Sequence, residues 1–262
     1  EQSDLLGALQ GEYLSNLIKK CKIPLNTSFG GKAVFIKDEN KLPQIKLHGG
    51  MEITLLNPTK IGLQKMAPVW EKEMQAFKED NTIKERLHDD YRYEEVILDD
   101  LLGKSTIEEM QKEKVKGDES EANGCSIAFL ASYQNKHCLF AADAHTKYLE
   151  QSIQIHLQQI GKNTLTLDAW KLAHHGSKKS TLDSLMQLID AKKILISSDG
   201  KKFKHPDEIV IAKLLHYKRK AISFYFNYKT VFNAMWDNQA KKTKFGYTTF
   251  YPKNKNGIKI EL

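Results

Sequence analysis

The apolar positions of this chain change period along its length, and that change divides it. Over residues 2–20 they recur at helical spacing (Leu5, Leu6, Leu9, Tyr13, Leu14, Leu17, Ile18), which predicts an amphipathic helix. Its lysine-rich end suits the negative pole of the helix dipole. Pro24 and Gly30-Gly31 mark a loop, and residues 33–36 read as a short strand. Gly49-Gly50 turns the chain into a strand over residues 51–56, closed by Asn57-Pro58. Thr59 is a natural cap for a helix carrying Ile61, Leu63, Met66, Val69, Trp70 and Met74, in which Pro68 demands a kink or a late start.

Residues 78–122 are different in kind. Segments such as KEDNTIKERLHDDYRYEE mix both charges and show no strand period, so they read as an exposed helical or disordered insertion with little catalytic content. Order returns at Ser126. SIAFLASY and HCLFAAD flank Gln134-Asn135-Lys136 in a hairpin pattern. A helix over residues 146–160 follows, then a strand over 165–172, the turn HHGS, a helix over 182–189 and a strand over 193–197. A helix from His205-Pro206 to Tyr217 and a strand over 222–226 complete the series, and GYTTFYP and GIKIEL read as two edge strands. Strands alternating with helices predict an α/β fold.

Composition narrows the class. The chain has 262 residues, 40% hydrophobic and 28% charged, which is ordinary for a globular protein. No apolar run approaches the roughly 20 residues of a membrane span, and the first residues lack the pattern of a secretory signal. Cys21, Cys125 and Cys138 are odd in number with no metal-type spacing, so they read as free thiols in a reducing cytoplasm. The net charge is +7, and from Ala191 onward 16 Lys/Arg face 5 Asp/Glu. Such a basic third suits an anionic partner, a nucleic acid or nucleotide, or else is a solvated lysine-rich surface.

Against that frame a few residues carry chemistry. Asp143 ends an apolar run. A carboxylate there either caps the next helix or bridges two divalent ions through its two oxygens. His174 and His175 follow a strand and precede Gly176, which permits a tight turn and close approach of a ligand. Neutral imidazole is a common ligand for zinc and its neighbours; one buried, hydrogen-bonded histidine beside an exposed one is the alternative. Ser177 and Lys178 are candidates to bind phosphate at the free N–H groups of the next helix start. His205 precedes Pro206, and a proline at the first helical position turns His205 toward the edge of the preceding strand. His137 and His145 are weaker candidates. His48, His88, His156 and His216 fall in turns or amphipathic helices and read as solvent-facing.

Taken together, ANGCSIAFLASYQNKHCLFAADAH, LDAWKLAHHGSKKS and ILISSDGKKFKHPDEIVIAKL resemble the second half of metallo-β-lactamase-fold hydrolases. The nearest branch is the one that includes the hydrolase domain of the DNA-uptake protein ComEC. LHGGMEITLLNPT is similar to the strand preceding these motifs, so the resemblance covers roughly residues 45–60 and 120–217. Asp143 matches the family's metal-bridging Asp, His174 to Ser177 its HHGS turn, and His205-Pro206 its later element. Two departures stand out. The first metal motif, His-x-His-x-Asp-His, is absent and in family order would precede Glu1, and Ala142 stands where the family has Gly.

The resemblance implies an αββα sandwich of which this chain supplies mainly the second sheet, as one domain over residues 1–262 with the charged insertion. It implies a metal-dependent phosphodiesterase or nuclease with two Zn²⁺ or Mn²⁺ ions bridged by Asp143. One of His174 and His175 would complete the second ion's shell. His175 or His205 would serve catalysis, and Ser177, Lys178 and His205 would touch substrate. A protein partner or an N-terminal fragment would supply the missing motif. The alternative is a non-catalytic module of the same fold that binds nucleic acid or a protein partner, with the insertion as its arm. A lactonase or thioesterase is the third reading.

Overall fold

The computed structural model describes residues 5–79, 105–201, 203–218, 221–254 and 257–262. Eight strands form one mixed sheet: β1 Gln44–Lys46, β2 Glu52–Asn57, β3 Ala128–Tyr133, β4 Lys136–Phe140, β5 Leu165–Lys171, β6 Ile189–Ile196, β7 Ile222–Phe226 and β8 Tyr247–Phe250. Their spatial order is their chain order. The first four pair antiparallel and the last five, β4 included, pair parallel. Nine α-helices are described: α1 Leu5–Lys20, α2 Lys60–Glu79, α3 Ile107–Met110, α4 Glu121–Gly124, α5 Thr146–Gln159, α6 Asp183–Leu188, α7 Glu208–Tyr217, α8 Val231–Ala234 and α9 Gln239–Phe245. The fold is α/β, and no helix among the described residues is long and apolar enough to cross a membrane.

The order of the strands dictates where the core lies. Each parallel step needs a crossover, crossovers are right-handed, and every step from β4 to β8 runs the same way, so the crossover helices fall on one face. The residues obey this. Across the sheet, Leu130, Leu139, Trp170, Ile194 and Phe224 pair in one row and are all buried. They form one core with Leu149 and Ile153 of α5, Leu185 of α6 and Val210 and Leu214 of α7. The adjacent row, whose side chains point the other way, is Phe129, Phe140, Lys171, Leu195, Tyr225 and Phe250. None of these is fully buried; Phe140 and Phe250 are 37% and 43% exposed. Phe129 stacks on Phe140 at 5.1 Å and Tyr225 on Phe250 at 4.6 Å, leaving an aromatic, open face.

Several expectations need correction. Residues 33–36 make no strand; Ile36 forms only an isolated bridge to Thr59. GIKIEL is not a strand either, because its segment lies across the open face, where Ile260 and Leu262 line a cavity of about 470 Å³ with Cys138, Phe140 and Leu195. α2 starts at Lys60 and contains Pro68, so there is no late start, and Thr59 does cap it through Gly62 N–H at 3.1 Å. Within the insertion, residues 80–104 lie outside the described residues. The rest is not simply exposed: a capping box from Thr106 starts α3, whose Ile107 and Met110 are buried in the core. His156, expected in solvent, is half-buried on α5, and His88 lies outside the described residues.

Candidate active site

The site residues gather where parallel strands end, the edge at which open α/β sheets bind ligands. After β4 the chain turns through Ala142 and Asp143, after β5 through His174 and His175, and after β6 through Ser197 toward His205. Hydrogen bonds tie the turns together: His174 N–H donates to the Ala142 carbonyl at 2.8 Å, and Asp207 N–H to the Gly176 carbonyl at 3.1 Å. Gly176 has φ +89, and a β-carbon there would meet Pro206 at 2.9 Å, so only glycine lets the two turns close. Ala142, His174, His175 and Lys204 also have positive φ, at 47, 44, 58 and 55 degrees. For an L residue that conformation costs about 1–2 kcal/mol, and such residues concentrate where a site demands a particular aim.

The two adjacent histidines point different ways. His175 is exposed, and its Nδ1 bonds the Ser197 carbonyl at the end of β6. His174 turns inward. Its ring centroid is 5.5 Å from that of His205, and its Nδ1 is 3.3 Å from the Asn123 amide and 3.9 Å from an Asp118 carboxylate oxygen. Burial holds the His174 imidazole below its ordinary pKa against an opposing pull from Asp143, which lies within electrostatic reach. His205 Nδ1 stands 3.6 Å from Asp207 Oδ2 and has no closer hydrogen-bond partner. Burial pushes the Asp207 carboxyl up, but His205 and the Lys178 N–H outweigh it and leave the group below its ordinary value.

Asp118 and Asn123 were missed by reasoning from the sequence; Asp118 comes from the insertion expected to have little catalytic content, and Asn123 directly follows it. Asn123 donates to Asp118 at 2.6 Å, and His145 Nε2 stands 3.9 Å from the same oxygen. Burial raises the Asp118 carboxyl, but Asn123, the Ser120 N–H and both histidines bring it below its ordinary value. The local signal was the turn Asp118-x-Ser120, closed by Ser120 N–H on Asp118 Oδ1. Asn57, fully buried at the end of β2, anchors this loop by donating to the Gly124 and Ser126 carbonyls. Lys171 was also missed; burial depresses its ammonium, with Asp143 opposing.

Other placements differ from expectation. Asp143 does not cap α5, whose N-cap is His145. His205-Pro206 does not open α7, which begins at Glu208 after N-cap Asp207. Ser177 is buried, and the Lys178 N–H, expected free for phosphate, donates to Asp207 at 2.7 Å. His137 pairs with Ser132 Oγ in the β3–β4 hairpin rather than joining the cluster. Much of the basic third is committed internally: Lys213 to Asp183, Lys229 and Lys242 to Asp237, and Lys244 to Glu108.

Among the described residues, no three His, Cys, Asp or Glu side chains stand so as to hold a metal ion. Comparison with protein-family models, curated proteins and solved structures found no match to this chain.

Proposed function

We propose that this chain carries one half of a hydrolase site of the metallo-β-lactamase type, acting on phosphodiesters. The observation that carries the reading is the convergence of Asp143, His174, His205 and Asp118 at one strand edge, on backbone held in a conformation that costs energy. The open aromatic face supports it, because a second sheet laid there would make the αββα sandwich.

Asp143 and His174 have the donor chemistry of zinc or manganese, but two donors fall short of the three or four that a catalytic ion takes. The described residues do not form a metal centre by themselves. Two Zn²⁺ or Mn²⁺ ions belong to the proposal only with ligands from outside them. What these side chains do alone is proton handling and positioning. In this reading His205, paired with Asp207, gives a proton to the departing ester oxygen as water attacks phosphorus and the P–O bond breaks. Asp118 and Asn123 fix the His174 ring.

The test is hydrolysis of bis(p-nitrophenyl) phosphate and of single-stranded DNA by the full natural protein, together with elemental analysis. His205→Gln should lower kcat on the order of 100-fold or more. Asp143→Ala should abolish turnover with the circular dichroism spectrum unchanged. Turnover equal to wild type in both variants overturns the site. Absence of both turnover and bound zinc or manganese favours the second reading, a non-catalytic binding module, which the incomplete donor set already recommends.

A further inference from the structure

Beside the cluster, between α6, α7 and the segment at residues 114–115, lies a cavity of about 430 Å³. Lys114, Lys178, Lys213, Thr181 and Asp183 contribute its polar wall. The lysine of α7 is unusual. Lys213 sits in a run of buried apolar residues, and its side chain is 4% exposed. Both Asp183 oxygens accept from it, at 2.8 and 2.7 Å. Lys213 is thus a buried ammonium whose one carboxylate partner, Asp183, is 39% exposed at the cavity wall; a buried charge of this kind is costly unless it is fully paired.

An ammonium has three N–H donors, and Asp183 uses two of those on Lys213. Thr181 is 2% exposed, and its hydroxyl has no hydrogen-bond partner. A buried unpaired hydroxyl is costly, which is the mark of a group waiting for an acceptor. Lys114 is exposed and lines the cavity. Lys178 faces Glu113 at 3.7 Å with both side chains about half exposed, a contact that a better anion displaces. The charge of the lining is therefore unbalanced: three lysines against one carboxylate, Asp183, already bound to Lys213, with Glu113 held loosely beside Lys178 and Thr181, Ser184 and Gln187 as neutral polar groups.

Ser184 and Gln187 complete the polar part of the wall, and its apolar part is Val115, Leu182, Ile209 and Val210. A site with cationic donors on one side and aliphatic side chains on the other takes a molecule that is itself divided, an anion joined to a flat or cyclic body. Lys178 links it to the cluster, since its N–H donates to Asp207, the partner of His205, while its side chain lines the cavity. We propose that this cavity binds one nucleotide unit of the substrate, with phosphate on Lys114, Lys178, Lys213 and Thr181 and the base or sugar on the aliphatic wall. The choice of a nucleotide rests on the phosphodiester reading; the anion-binding chemistry does not.

The experiment titrates the full chain with deoxyadenosine 5′-monophosphate, inorganic phosphate and deoxyadenosine, followed by calorimetry and amide chemical shifts. The monophosphate should bind saturably with Kd on the order of 0.1–1 mM, and inorganic phosphate roughly tenfold more weakly. Shifts should centre on Thr181, Ile209 and Lys213. Lys213→Met risks the fold, so Lys114→Gln at the surface and Thr181→Val carry the test. Each should weaken the monophosphate by roughly 3- to 10-fold. Asp143→Ala should bind it as wild type does. No saturation by about 10 mM, inorganic phosphate binding as tightly as the nucleotide, shifts centred on His174 and His205, or wild-type affinity in both variants overturns the proposal. Binding that persists in a protein without phosphodiester turnover overturns the hydrolase reading alone and leaves the nucleotide site standing.

Discussion

Ala142 shows how much a single backbone angle explains. At φ 47 an alanine pays a steric cost of about 1–2 kcal/mol that glycine does not. The resemblance noted in the sequence has Gly at this position, and the turn from β4 into Asp143 gives the reason. Ala142→Gly should therefore stabilise the protein by about 1 kcal/mol, less the entropy glycine loses on folding, and raise Tm by roughly 2 °C in calorimetry. An unchanged or lower Tm would mean that the turn tolerates alanine without strain. Asp118 makes a second residue-scale case. Its carboxylate favours the charged form of His174, as does Asp143, against the larger effect of burial. Asp118→Asn removes one of the two opposing charges, so the His174 imidazole should titrate lower still. Histidine ring resonances followed against pH read this directly, and an upward or absent movement refutes the contact. The sequence offered only the Asp118-x-Ser120 turn, which marks a loop and not a site, because a lone acid in a run of charges has no period; the tertiary approach of the loop to His145 and His174 is what singles it out.

At the scale of elements, periodicity was a good guide wherever both partners of a contact were local or the strand was buried on its helical face. The hairpin of β3 and β4, strand β5, helix α5 and strand β7 stand close to where the apolar pattern put them. GIKIEL misled because alternation of Ile258, Ile260 and Leu262 signals one apolar face, which a segment lying across a sheet needs as much as a strand within one. α3 was hidden for the opposite reason: four residues are too few to show a period, and their burial is decided by α7, to which Gln111 also reaches through the Ala212 carbonyl at 3.1 Å. On α5, His156 gives a test of burial through pH. Burial lowers its pKa, helped by His137 and opposed by Glu52, below the ordinary value of 6.5. Above that pH both folded and unfolded states hold it neutral. As pH falls through 6.5 the unfolded chain takes up a proton first, so stability is full above and is lost below. His156→Leu removes both this linkage and an unpartnered Nδ1. The drop in urea midpoint between pH 7.5 and pH 5.5 should shrink in the variant; an equal drop would mean that His156 protonates as freely folded as unfolded.

For the molecule as a whole, the decisive feature is that strand order and chain order coincide. A sheet that always steps one way collects its crossover helices on one face, and the sequence then has to treat the other face as surface or as interface. Its row there is mostly apolar, with Phe129, Phe140, Leu195, Tyr225 and Phe250 beside a single lysine, Lys171, which suits an interface better than the wholly charged row that solvates an open sheet. The described tail lies by the part around Cys138, Phe140 and Leu195, with Lys193 donating to the Glu261 carbonyl. Because these side chains lie outside the core, Phe140→Lys with Leu195→Glu should cost little, within about 1 kcal/mol, since most surface changes stay within that range. The same pair should sharply reduce binding of a hydrophobic dye such as anilinonaphthalene sulfonate, and should prevent assembly with any second sheet that completes the site. The core row gives the contrast: Trp170→Ala should cost about 3–5 kcal/mol without creating or removing exposed apolar surface in the folded state. If instead the surface pair unfolds the chain while dye binding is unchanged, the aromatic row is part of the core and the sandwich reading loses its structural support.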